Sequence, residues 1–141
     1  MTTTTMTTSD PQSLLRWSLR GNALFSTLSG IAFTAFGSAM ARTIGLAVPM
    51  ILPAIGLGLL GFAAYLLFVA SRDEISLSST WSIIAGDLAW VVGTIPVVAA
   101  GLLNQTGVIA AIAIAEVVLG FAALQYLGLR RARTRVPSAR H

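Results

Sequence analysis

Apolar residues dominate four long stretches of this chain, and polar residues cluster between them and at the ends. The stretches cover residues 22–41, 53–70, 81–103 and 108–129. A bilayer core about 30 Å thick needs roughly 20 apolar residues in a helix. Each stretch meets or approaches that length. Backbone groups in lipid must be hydrogen-bonded within the segment, so the stretches are predicted to be helices. The period-two alternation of a membrane β-barrel is absent. The expected fold is therefore all-α, an integral membrane four-helix bundle within residues 11–130. Residues 1–10 read as a disordered tail and residues 131–141 as a basic cytoplasmic tail.

The ends of the first stretch carry further signals. Met1 to Thr8 is a threonine repeat without the positive region of a cleavable signal. Asp10 followed by Pro11 predicts a helix start, with Asp10 as N-cap and Pro11 at the first helical position. Residues 11–21 then form either a short interfacial helix or the wet end of the first span. The turn Asn104-Gln105-Thr106 matches a glycosylation sequon but reads here as turn chemistry between two spans.

Composition agrees with lipid as the solvent. The chain of 141 residues is 55% hydrophobic and only 10% charged, with a mean hydropathy of +0.82. A soluble domain would carry about 25% charged residues. The basic side chains are all arginine, which together with abundant alanine suggests a bacterial source. Four spans place Arg16, Arg20, Arg72, Arg130, Arg131, Arg133, Arg135 and Arg140 on one side, and only Arg42 on the other. The positive-inside rule predicts a bacterial cytoplasmic membrane protein with both termini in the cytoplasm. Trp17, Trp81 and Tyr126 fall near the same inner boundary, where interfacial aromatics belong. The positive charge sits at the chain ends, so nucleic acid is not an expected partner.

Two segments repeat. Leu60-Gly61-Phe62-Ala63-Ala64 in the second stretch recurs as Leu119-Gly120-Phe121-Ala122-Ala123 in the fourth. Gly21-Asn22 and Gly86-Asp87 occupy matching places in the first and third. Two tandem hairpins in a parallel repeat would explain both matches, as would chance in a sequence rich in Gly, Ala and Leu.

Four polar residues within the spans are the candidate site residues: Glu116, Asp87, Asn22 and Gln125. Glu116 lies roughly 14 Å along its helix from Gly107 and so near the midplane. A charge there costs at least ~2.5 kcal/mol on insertion scales. With Ala113 and Gly120 on its face, Glu116 is expected to face protein. It serves either as a proton or cation site or as a hydrogen-bonding tie between helices. Asp87 lies about 9 Å past Trp81 and is expected to share a polar layer with Asn22 and Gln125, with Arg20 or Arg72 reaching in. That layer is either a pocket for a head group or ion, or a set of structural hydrogen bonds.

Small residues predict the packing faces. Asn22, Ser26, Gly30, Thr34 and Ser38 follow one another at four-residue spacing, and Gly37 with Ala41 continues the stripe. Ala54 and Gly58 suggest the same for the second span, and Gly56 and Gly61 also read as packing residues. Pro96 interrupts the third span as a possible kink or gate.

Absences narrow the chemistry. There is no cysteine, and the only histidine is His141, so thiolate and histidine metal sites in the membrane are not expected. A serine hydrolase would lack its base, and no phosphate-binding glycine loop is present. The expectation is a protein that is not an enzyme and has no cofactor and no metal.

The stretches Arg20-Gly21-Asn22-Ala23-Leu24-Phe25-Ser26, Asp87-Leu88-Ala89-Trp90-Val91-Val92-Gly93 and Leu124-Gln125-Tyr126-Leu127-Gly128-Leu129-Arg130-Arg131 resemble a group of small bacterial four-span membrane proteins. The resemblance covers nearly the whole chain outside the tails and implies four spans. It implies no activity. The length is also similar to that of the small multidrug resistance transporters. Their essential acid lies in the first span, where this chain has Asn22, which argues against membership. The expected function is that of a non-enzymatic accessory, assembly or structural subunit of a membrane complex, or a lipid-contacting bundle. Its partners would be membrane lipids and other membrane subunits or further copies of itself. The alternative is a small ion- or proton-coupled transporter working as an oligomer.

Overall fold

A computed structural model describes residues 10–134 of the chain. Four helices follow in order: α1 Ser13–Thr43, α2 Ile51–Ala70, α3 Leu77–Ala99 and α4 Gln105–Thr134. No strand occurs among the described residues. All four helices are long and apolar enough to cross a membrane. At about 1.5 Å per residue, α1 and α4 exceed a 30 Å hydrocarbon core by several turns. α1 packs on α2 and on α4, and α3 packs on α4.

The helix ends differ from the sequence expectation in instructive ways. α1 begins at Ser13, with Gln12 rather than Asp10 in the cap position and no side-chain cap. Asp10 instead closes a turn. Its Oδ1 accepts from the Gln12 N–H at 2.9 Å, and its carbonyl accepts from Ser13 at 2.9 Å. Residues 13–21 continue into the span without a break, so they are part of α1 and not a separate helix. α3 starts earlier than expected because Ser76 caps it, accepting from the Ser79 N–H at 3.1 Å. α4 runs on to Thr134, past the predicted border at residue 130. The predicted tails fall largely on residues 1–9 and 135–141, outside the described residues.

α1 and α3 end alike. Gly45 has φ +81° and Gly101 φ +66°, the left-handed conformation that glycine adopts freely. Leu46 donates to the Ala41 carbonyl at 2.8 Å, and Leu102 to Val97 at 3.3 Å. Both ends are Schellman motifs, which satisfy carbonyls that a helix terminus would otherwise leave open. Pro96 lies in the last turn of α3, where the Ala100 N–H still reaches its carbonyl at 2.9 Å.

Close approach of α1 and α2 depends on missing side chains. A Cβ on Gly56 would sit 2.6 Å from the Thr34 nitrogen, and one on Gly37 would sit 2.7 Å from Pro53 Cδ. A Cβ on Gly30 would sit 2.9 Å from Leu60 Cδ2. The predicted stripe on α1 is therefore a packing face at Gly30 and Gly37. On α2 the expectation needs correcting. Gly56 makes the contact, whereas a Cβ on Gly58 or Gly61 would meet nothing within 4 Å. Ala54 is exposed.

Polar side chains tie both ends of the fold. At the arginine-rich end, Arg16 reaches from α1 to the C-terminus of α2 and donates to the carbonyls of Ala70, Arg72 at 2.7 Å and Asp73 at 3.2 Å. A cation there also complements the helix dipole. Gln12 and Ile75 exchange two hydrogen bonds, at 3.3 and 3.0 Å. At the opposite end, Asn104 Oδ1 caps α4 by accepting from Gly107 at 3.0 Å. Its amide donates to the Thr43 carbonyl at 2.8 Å, so one side chain starts α4 and holds the end of α1. The sequon asparagine is turn chemistry here.

Candidate intramembrane polar site

Asp87 is the centre of the polar contacts within the membrane-spanning region. It is buried on α3, 2% exposed. Asn22 Nδ2 on α1 donates to its Oδ2 at 2.7 Å. Gln125 Nε2 on α4 donates to the same oxygen at 3.0 Å. Ser26, one turn beyond Asn22, donates from Oγ to Asn22 Oδ1 at 3.2 Å. Asn22 and Gln125 are as fully buried as Asp87. One carboxyl oxygen thus joins three helices.

Three of the four candidate residues come together at this point. The expected arginine does not join them. Arg20 is exposed, and Asp87 has only the two amide donors among the described residues. Arg16 is spent on backbone carbonyls at the end of α2.

The local chain makes room for the layer. Gly21, before Asn22, lies under the Phe121 ring of α4, 3.2 Å from where a Cβ would be. Gly86, before Asp87, lies under the Phe62 ring of α2 at 3.4 Å. Phe62 and Phe121 are the same position of the two repeated segments. Phe25 packs on Phe121 with centroids 5.9 Å apart.

A cavity of about 310 Å³ adjoins Asp87 and takes walls from all four helices. Phe25, Phe33, Phe62 and Trp90 give it an aromatic lining, and Gly58 stands at its exposed edge. Two buried polar atoms, Trp90 Nε1 and Gln125 Oε1, have no hydrogen-bond partner among the described residues. Such an atom costs about 1–3 kcal/mol relative to a paired one. Trp90 was not singled out as a site residue from sequence. Its indole in the stretch Asp87–Trp90, one turn beyond the acid, was the available signal.

Glu116 stands apart. It is exposed, on a groove of about 370 Å³ between α3 and α4 lined by residues such as Val91, Ile95, Ile112 and Leu119. Among the described residues no helix covers it and it makes no hydrogen bond. The expectation that its face packs on another helix is corrected for the single chain. Ala113 and Gly120 beside it are also exposed. They are small residues on an open face.

The described residues hold no cluster of three His, Cys, Asp or Glu side chains able to bind a metal. No protein-family model matches the chain, and no curated protein or solved structure is similar to it.

Proposed function

We propose that this chain is a non-enzymatic subunit of a larger membrane assembly, resident in a bacterial cytoplasmic membrane with both termini in the cytoplasm. The observation that carries the reading is Glu116. An exposed carboxyl roughly 17 Å into α4, by helical rise, sits at hydrocarbon depth, where intramembrane acids almost always face protein or a water-filled cavity. No part of the chain among the described residues is over it, so another subunit supplies the cover. The groove walls between Val91 and Ala99 on α3 and between Ile112 and Leu119 on α4 are almost wholly apolar apart from Glu116 and Thr94, which suits packing of a further helix. The orientation rests on the charge asymmetry. Arg16, Arg72 and Arg130 cluster with the ends of α1, α2 and α4, and Arg42 stands alone opposite.

The same reading includes a bundle made of two tandem hairpins. Gly21 under Phe121 and Gly86 under Phe62 are crossed contacts between equivalent positions, and both α1 and α3 end in a glycine Schellman motif. An axis along the membrane normal would pass between Asn22 and Asp87. The resemblance to small bacterial four-span proteins fits this architecture and adds no activity.

The test is the mass of the particle extracted in a mild detergent. The reading expects a defined complex heavier than the 14.7 kDa chain. It expects Glu116→Gln to keep the complex, because the amide retains hydrogen-bonding capacity, and Glu116→Leu to weaken it. A monomer in every case would refute the reading. A second reading, a small ion-coupled transporter working as an oligomer, is favoured by Asp87 on an intramembrane cavity. It expects Asp87→Asn or Glu116→Gln to fold normally and lose pH-driven flux, since a coupling acid must release its proton.

A further inference from the structure

We propose that the cavity beside Asp87 is a binding site for a small organic ammonium ion with an apolar body. This goes beyond the assembly role and does not depend on it. The carboxyl supplies the first argument. Both of its hydrogen bonds arrive at Oδ2, from Asn22 and Gln125. Oδ1 accepts none among the described residues, and Asp87 lines the cavity. Both donors are neutral amides, and among the described residues no arginine lines the space. The site therefore has an acceptor oxygen and lacks a counter-charge. An ammonium group supplies an N–H donor and a positive charge together. An anion would meet an acid with no cation to offset it.

The walls supply the second argument. Phe25, Phe33, Phe62 and Trp90 line the space. Aromatic faces attract cations, by more where water is excluded, and they also bury an apolar body. A volume of about 310 Å³ is at the small end of ligand sites, which run from roughly 300 to 1,000 Å³ and combine apolar walls with few polar groups. The exposed edge at Gly58 opens within a membrane-spanning helix, so an amphiphilic ligand enters from the lipid side.

The experiment uses the full chain in nanodiscs of zwitterionic lipid, with equilibrium dialysis of phenethylammonium and of 2-phenylethanol, and with empty discs subtracted. The alcohol has nearly the same size but no charge. Wild type is expected to bind phenethylammonium saturably at one site per chain, and the alcohol at least about tenfold more weakly, a difference of about 1.4 kcal/mol. Asp87→Asn keeps an acceptor oxygen for Asn22 and Gln125 and is expected to lose the preference for the cation. Gly58→Phe adds a ring at the cavity edge, where a Cβ meets nothing within 4 Å. It is expected to fold, by helical content and a monodisperse particle, and to bind neither probe. The proposal is overturned if no saturable binding exceeds that of empty discs, if both probes bind alike, or if Gly58→Phe binds as wild type does. Should Asp87→Asn fail to fold, the two probes on wild type and on Gly58→Phe still decide.

Discussion

Asp87 shows what one residue does in this fold. Its Oδ2 is the acceptor for buried amides from α1 and α4, so any replacement must keep an acceptor there. Asp87→Asn does so through its amide oxygen and is expected to leave thermal stability in detergent within about 1 kcal/mol of wild type. Asp87→Leu strands two buried N–H donors, each costing about 1–3 kcal/mol, and is expected to lower the unfolding midpoint clearly. Equal midpoints for the two variants would remove the structural role given to the carboxyl. The depth of Asn22, Asp87 and Gln125 was legible in the sequence because rise per residue is fixed, and it places the three in one layer. The direction of Glu116 was not. Depth follows from the chain alone, whereas azimuth depends on which helices become neighbours. Small residues such as Ala113 and Gly120 mark a packing face and an uncovered face equally well.

Elements are joined by contacts whose sign can be tested. Arg16 completes the C-terminus of α2 from another helix, with charge-assisted bonds to carbonyls. Its side chain is 19% exposed, so water replaces it poorly. Arg16→Ala is expected to destabilise the fold by about 1–3 kcal/mol, read from chemical or thermal unfolding monitored by circular dichroism. An unchanged transition would show that the clamp carries no net energy. The α1–α2 seam gives a sharper contrast. Gly56→Leu drives atoms into the Thr34 backbone, and overpacking of this kind typically costs about 1–3 kcal/mol or more. Gly61→Ala meets nothing within 4 Å and gains helix propensity of up to about 1 kcal/mol. The first is expected to unfold at lower temperature and the second at the same or a higher one. Loss of stability in both would mean that α2 is oriented differently. Sequence placed small residues on α2 but did not separate Gly56 from Gly58 and Gly61, because all three sit in one apolar run. Only the position of α1 distinguishes them. The cap at Ser76 was likewise readable in principle, as a serine before an apolar run, yet hydropathy alone moved the start of α3 to Trp81.

At the scale of the whole molecule, four helices long and apolar enough to cross a membrane followed directly from composition and run length, because a bilayer tolerates few other solutions. How they pair did not, since apolar residues face lipid and protein alike in this solvent. Topology has its own check. Reporter fusions at Asn104 and after the C-terminal helix are expected on opposite sides of the membrane, and the same side for both would overturn the four-span arrangement. On the proposed reading, the α3–α4 face around Glu116 is covered by another subunit in the native membrane. The most direct measurement places a photo-reactive side chain at Ile112, on that groove, and separately at Leu67, exposed on α2. Irradiation of intact membranes followed by mass analysis of the adducts then reports what each position touches. A discrete protein adduct is expected from position 112 and lipid adducts from position 67. Lipid adducts from both positions would contradict that reading.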